Sequence, residues 1–210
     1  MREPFLRAAD VALTLLRDPA VARRWTEPSA LEGMTVGGLA NHLGAQIQNV
    51  WSARAADAVL AAGVRTLPEH YGAVPWRGAP LDHQANRWIV VSNERAGADG
   101  PEAVLDRVTR ARHTLPDRLA AVPGDQPVLL PWTGWALTLD DRLVTRLMEI
   151  AVHGDDLAVS VDLPTPELPD DVFAPVVALL TDLSVRRHGQ VALLRALSRR
   201  ERAPETIAAL

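Results

Sequence analysis

The hydrophobic positions along the chain recur mostly at intervals of three and four residues, which places them on one face of an α-helix. This pattern predicts helices over residues 5–17, 35–62 and 82–96, with a continuation of the third helix over 101–121. Thr35 and Asp82 are the predicted N-caps. Gly63 marks a helix end, and Pro101 suits the first position of a helix. The chain shows no convincing alternation typical of a strand, so the predicted fold class is all-α.

A fourth helix is predicted over residues 140–160, because Thr138 with Asp141 three residues later resembles a capping box. The segments 18–34, 64–80 and 122–137 are predicted to be loops. After a proline-rich turn, helical segments follow over 170–188 and 191–200. We therefore expect one domain, with a four-helix bundle over residues 1–162 and a C-terminal helical extension over 163–210 packed on it.

The fourth predicted helix has one polar face on an otherwise apolar surface. The members of this face are Arg142, Arg146, Glu149, His153 and Asp156. Glu149 and His153 are four residues apart, so their side chains can reach the same metal ion. The second helix has a polar stripe of its own, namely His42, Gln46 and Asn49. If the two stripes face each other, two imidazoles and one carboxylate suit Zn²⁺, Ni²⁺ or Fe²⁺ and leave a coordination position open.

The same residues also have simpler explanations. A polar stripe on a helix is usually its solvent-exposed face, and Arg146 and Glu149 could form an ordinary ion pair. His42 alone could be a hydrogen-bonded histidine of the bundle interior. Spacing alone therefore leaves the metal site as one hypothesis among others.

The composition limits the available chemistry. The chain contains no cysteine, so a metal must be held by histidine and carboxylate, and any thiol chemistry needs a small-molecule sulfur. A net charge of −4 argues against a nucleic-acid partner. The N-terminal segment is interrupted by Arg2, Arg7 and Asp10, so we expect no signal peptide. No apolar run approaches the roughly 20 residues that span a bilayer, and a cytoplasmic protein without membrane association is expected.

Two segments carry a resemblance to a known family. SALEGMTVGGLANHL (residues 29–43) and LTLDDRLVTRLMEIAVHGDDLAVSV (residues 137–161) resemble the DinB-like, mycothiol-dependent maleylpyruvate isomerase N-terminal domain family. The tail RRHGQVALLRALSRRERAP is similar to tails common in these proteins. Met34 and Gly38 depart from the pattern, which often has tryptophan and an acidic residue at these positions. The isomerase also carries a further C-terminal domain, whereas residues 163–210 are predicted to be helical, which argues against maleylpyruvate as the substrate.

The resemblance implies a DinB-like bundle in which His42, Glu149 and His153 bind a metal, usually zinc. It also implies Asp156 as the acceptor that orients an imidazole, although a surface carboxylate at the helix end is the alternative. A mycothiol-type thiol would take the open coordination position and attack a small electrophilic substrate. The outcome would be isomerisation, S-transfer or conjugation.

Substrate and thiol contacts are separate hypotheses. Arg146 could hold a substrate carboxylate, although an ion pair or a surface role is the stronger alternative. Asn86 and Arg87 on the third helix are candidates for contact with the cosubstrate. Tryptophans of the two long loops could form the pocket wall or anchor the loops: Trp76, Trp132 and Trp135. Four histidines have no partner pattern and are interpreted as structural or exposed: His70, His83, His113 and His188.

Two other classes of function remain open. The first is a metalloenzyme that uses metal-bound water and no thiol. The second is a non-catalytic module that keeps the metal for structure. A homodimer is a further hypothesis, and a nucleic-acid role for the arginine-rich tail is not expected.

Overall fold

The computed structural model describes residues 1–50, 63–80, 82–130 and 132–210, and these residues are mostly helical. The elements in chain order are α1 (Arg2–Leu16), α2 (Pro19–Arg23), α3 (Val36–Gln48), α4 (Leu67–Ala73), α5 (Gln84–Gly97), α6 (Pro101–Ala120), β1 (Pro127–Leu130), β2 (Trp135–Thr138), α7 (Leu139–Ser160), α8 (Asp170–His188), α9 (Gln190–Ser198) and a 3₁₀ turn (Arg200–Arg202). The predicted all-α fold class is confirmed, with one short hairpin added to it.

Four helices, α1, α3, α6 and α7, form the bundle around the hydrophobic core. Both α1 and α3 pack against α6 and α7, while α5 lies against α3 and α8 lies against α7. The four bundle helices contribute apolar side chains with no exposed surface, such as Phe5, Leu39, Val108 and Leu147. Burial of each such side chain contributes about 1.5–3 kcal/mol. The core therefore holds α3 and α7, which carry the candidate metal ligands, firmly against each other.

Glycines allow α5 to approach the start of α3. A Cβ on Gly97 would lie 2.7 Å from the carbonyl oxygen of Gly37, so a larger residue does not fit there. A Cβ on Gly38 would lie 2.0 Å from a carboxylate oxygen of Glu94. That oxygen accepts hydrogen bonds from the backbone N–H of Thr35 at 2.7 Å and from its hydroxyl at 3.0 Å. Where Gly38 departs from the family pattern, the carboxylate of Glu94 occupies the space beside it.

Several predicted helix boundaries are confirmed. The hydroxyls of Thr35 and Thr138 accept hydrogen bonds from the backbone N–H groups of Gly38 and Asp141, and so cap α3 and α7. Pro101 is the first residue of α6. The helix α8 has the predicted bounds.

Two loop predictions are wrong, because each segment contains a short helix with its own N-cap. The segment 18–34 contains α2, capped by the carboxylate of Asp18. The segment 64–80 contains α4, where Thr66 and Glu69 form a reciprocal capping box. The predicted cap Asp82 is also wrong, since the ring Nδ1 of His83 accepts the N–H of Ala85 and begins α5.

The third predicted loop, residues 122–137, contains the antiparallel hairpin of β1 and β2. Its register pairs Pro127 with Thr138 and Leu130 with Trp135. The segment 63–65 adds to this pairing. The backbone N–H of Ala136 donates to the oxygen of Gly63 at 2.9 Å, and the oxygen of Ala136 accepts from the N–H of Arg65 at 2.8 Å. Each strand has only four residues and is largely buried, so no polar alternation marks it in the sequence.

The remaining predictions concern the length of α3, the domain division and the membrane. The helix α3 ends at Gln48, and the rest of the predicted second helix falls largely on residues 51–62, outside the described residues. The division between residues 162 and 163 stays a prediction. In the described part of the chain, no helix combines the length and the apolar character needed to cross a bilayer.

Candidate metal centre

The three predicted metal ligands come together between α3 and α7. His42 lies on α3, and Glu149 and His153 lie on successive turns of α7. One ligand atom from each lies within 4.8 Å of the other two. The Nε2 atoms of the two histidines are 3.2 Å apart, and Oε2 of Glu149 is 3.1 Å from Nε2 of His153. This separation allows all three atoms to bind one cation.

Each imidazole is held through its other nitrogen. Oδ2 of Asp156 lies 3.0 Å from Nδ1 of His153, the carboxylate–histidine pairing that often orients metal ligands. The side-chain amide of Asn93, on α5, lies 3.0 Å from Nδ1 of His42.

Asn93 is itself positioned by two hydrogen bonds. Its amide nitrogen donates to the carbonyl of Ile89 at 2.8 Å, and its oxygen accepts from the amide of Asn41 at 2.9 Å. Asn41 and Asn93 are both buried. No pattern in the sequence distinguishes these two residues, because they become neighbours only when α3 packs against α5.

Charges in the centre depend strongly on burial. Burial, together with the neighbouring His153, lowers the pKa of His42 to about 4. Burial also disfavours the charged form of His153, but hydrogen bonds to Asp156 and Glu149 outweigh it and raise the pKa to about 9. Burial opposes ionisation of Glu149 as well, yet the bond to His153 and the charge of Arg146 hold its pKa well below the usual range. At neutral pH the carboxylate of Glu149 therefore faces an imidazolium.

Arg146 connects the two ligand-bearing helices. Its guanidinium donates to the amide oxygen of Gln46 on α3, and it lies 4.0 Å from the carboxylate of Glu149. Gln46 in turn donates to the backbone oxygen of His42 at 2.8 Å. These contacts match the ion-pair alternative for Arg146, although the residue also lines the adjacent cavity.

Arg142 is almost completely buried one turn before Arg146. It donates to the backbone oxygens of Asn49 at 2.7 Å and Val50 at 3.2 Å, just after α3 ends. Burial lowers its pKa well below the ordinary arginine value. Among the described residues it forms no ion pair with a carboxylate.

A cavity of about 1030 Å³ opens beside the three candidate ligands. It is lined by parts of α3, α5 and α7, by Trp76 and by Trp132 of the hairpin turn. His70 of α4, predicted from the sequence to be structural or exposed, also lines it. A volume of this size is at the upper end of small-molecule sites and accommodates a thiol together with a second substrate.

The remaining predicted contacts are placed differently. Asn86 borders the cavity, but its amide donates to the backbone oxygens of Ala79 and Pro80. Arg87 is exposed and is not among the described residues that line the cavity. Trp135 is not among the described residues that line the cavity, and its indole N–H donates to Nδ1 of His70. The structure therefore brings Asn86 to the cavity and leaves Arg87 at the surface.

Comparison with known protein families identifies the family of the chain. The chain matches the mycothiol maleylpyruvate isomerase N-terminal domain family over residues 6–158, which include all three candidate ligands. The chain belongs to this family, and its helical bundle is of the DinB-like kind. Searches of curated proteins and of solved structures gave no significant match.

Proposed function

We propose that the protein is a metal-dependent enzyme that activates a mycothiol-type thiol and transfers it to a small electrophilic substrate. The observation that carries this proposal is the convergence of His42, Glu149 and His153 at the wall of a substrate-sized cavity. Two imidazoles and one carboxylate suit Zn²⁺, with Ni²⁺ or Fe²⁺ as alternatives. Family membership supports the thiol.

A divalent cation bound to these three side chains would favour the thiolate form of a thiol at neutral pH. The other residues act on orientation and charge. Asp156 fixes the ring of His153, and Asn93 fixes the ring of His42. The cation of Arg146, on the same wall, attracts an anionic group of the substrate. The thiolate forms a bond to the electrophilic carbon while that carbon gives up a π bond or a leaving group. Retention of the sulfur gives conjugation or S-transfer, whereas bond rotation and departure of the thiolate, which restores the π bond, give isomerisation.

The test combines metal analysis with thiol consumption. Purified protein is assayed with zinc, mycothiol and a panel of small electrophiles, and adducts or isomers are identified by mass spectrometry. We expect bound zinc near one equivalent and thiol-dependent turnover in the wild type. His153→Ala should lose most of the zinc and the turnover. His113→Ala, an exposed histidine on α6, should behave as the wild type.

The outcomes separate the other classes of function. Turnover without thiol would instead indicate an enzyme that uses activated water. Loss of folding on chelation, with no turnover of any electrophile, would indicate a structural metal. Equal zinc content in His153→Ala and the wild type would exclude the site. The cytoplasmic location, the homodimer and the lack of a nucleic-acid partner remain predictions.

A further inference from the structure

His70 is a further lining residue of this cavity, and no sequence pattern assigns it a role. It lies on α4 and is only 4% exposed, yet it lines the cavity together with the candidate metal ligands. Its ring packs edge-on against Tyr71, with centroids 4.9 Å apart, and against Trp135 at 6.0 Å. The imidazole is therefore held in one orientation.

A hydrogen bond sets the tautomer of His70. The indole Nε1–H of Trp135 donates to Nδ1 of His70 at 3.1 Å. An indole nitrogen can only donate, so Nδ1 must carry a lone pair and the proton of the neutral ring lies on Nε2. No described residue is a hydrogen-bond partner of Nε2, and Nε2 is not among the sealed polar atoms without a partner. The Nε2–H group is thus open to the cavity.

The imidazole stays neutral at physiological pH. Burial, together with the positive charge of Arg142, lowers the pKa of His70 to about 4. A neutral ring in this tautomer can donate a hydrogen bond without giving up its proton. Such a donor suits an oxygen that becomes negatively charged during a reaction, because the site is already oriented and partly shielded from water.

We propose that Nε2–H of His70 binds the substrate oxygen on which negative charge develops when the thiolate adds to the substrate. This inference rests on the proposed function and assigns a role to His70 for substrates whose electrophilic carbon is conjugated to a carbonyl group. The C–S bond forms from an electron pair of the thiolate, the carbon–carbon π bond shifts to join the carbonyl carbon, and the electron pair of the carbonyl π bond moves onto the oxygen. His70 donates a hydrogen bond to that oxygen and keeps its proton.

The kinetic test uses two substitutions in the zinc-loaded protein. His70→Leu removes the donor, and His70→Gln keeps an N–H donor at a similar reach. We expect kcat to fall about 100-fold in His70→Leu, with zinc content and the KM for thiol unchanged, and to recover substantially in His70→Gln. His113→Leu should keep the wild-type kcat. Equal losses in both His70 variants, or no loss in His70→Leu, would overturn the proposal.

A second readout does not need turnover. 4-Nitrophenolate carries a stable oxyanion, and its binding to the zinc-loaded protein is measured by absorbance. We expect at least 10-fold weaker binding in His70→Leu, near wild-type binding in His70→Gln, and a shift of the His70 Nε2–H signal in ¹⁵N-edited NMR. Failure of the wild type to bind the phenolate, or an Nδ1–H tautomer, would overturn the role of His70. If the wild type shows no turnover but binds the phenolate through His70 as expected, the proposed function is rejected and the anion-binding role of His70 is kept.

Discussion

Glu149 and His153 face each other as a carboxylate and an imidazolium at neutral pH, which makes binding of a cation a proton-releasing event. The pKa of His153 is raised to about 9, whereas a histidine that binds a metal through Nε2 must lose the proton there. We therefore expect about one proton to be released for each zinc bound at pH 7. Calorimetry of zinc binding in two buffers with different ionisation enthalpies measures this number. A buffer-independent enthalpy would contradict the expectation.

Asp156 should contribute to metal affinity without contacting the metal. Its carboxylate holds Nδ1 of His153, and loss of such a partner typically costs 10–100-fold in affinity. Asp156→Asn is expected to weaken zinc binding by about that factor, as measured by competition with a chromogenic chelator. The neighbouring Asp155 is exposed and bonds Thr165, so Asp155→Asn is the matched control and should bind zinc as the wild type does. Equal zinc affinities in the two variants would show that Asp156 is a surface carboxylate at the helix end and does not support the metal site.

At the scale of single residues, the sequence predicts those site residues that lie on the same helix. Glu149 and His153 are predictable as a pair because a four-residue spacing fixes their distance. His42 needs the resemblance as well, since its position depends on how α3 packs against α7. Asn93 and His70 come from two further elements, and no spacing in the sequence relates them to the centre. Only the folded chain brings these side chains within reach.

The contact of α5 with α3 should be intolerant of any side chain at Gly97. A Cβ there would lie 2.7 Å from the backbone oxygen of Gly37, and backbone cannot move aside as the end of a side chain can. We expect Gly97→Ala to lower the free energy of unfolding by about 1–3 kcal/mol in urea denaturation. The zinc affinity should fall as well, because α5 carries Asn93.

A matched glycine shows the opposite effect. Gly154 lies inside α7, and a Cβ at that position has open space around it. Gly154→Ala should stabilise the protein by about 0.5–1 kcal/mol, because alanine loses less backbone entropy in a helix. If both substitutions changed the free energy of unfolding in the same direction, the close approach of α5 to α3 would not determine which residues fit at position 97.

At the scale of elements, predictability follows length and capping. The long helices α6, α7 and α8 were predictable, because several turns of apolar spacing and a cap or a helix-starting proline agree. The seven-residue α4 is too short for a periodic signal, although the capping box of Thr66 and Glu69 was visible in the sequence. The two four-residue strands are largely buried, so their composition cannot be distinguished from that of a loop anchored on the core.

At the scale of the whole molecule, the centre and the cavity join parts of the chain that are distant in sequence. The bundle supplies α3 and α7, α5 supplies the support for His42, and α4 with the hairpin supplies His70 and its indole partner. Titration of any one buried group therefore affects the stability of the whole fold. His42 and His70 matter most under acid conditions, because burial lowers the pKa of both to about 4.

The metal-free protein should accordingly lose stability as the pH falls from about 6.5 to 4. In this window the unfolded chain takes up a proton on His70, whose unfolded pKa is near 6.5, while the folded chain does not. Each such histidine removes up to about 3 kcal/mol, and the loss levels off once the folded state is also protonated. Urea denaturation at a series of pH values should give a slope that is shallower by up to ~1.4 kcal/mol per pH unit in His70→Gln than in the wild type. His113→Gln, a change at an exposed site, should keep the wild-type slope, and an unchanged slope in His70→Gln would mean that His70 is already protonated in the folded protein.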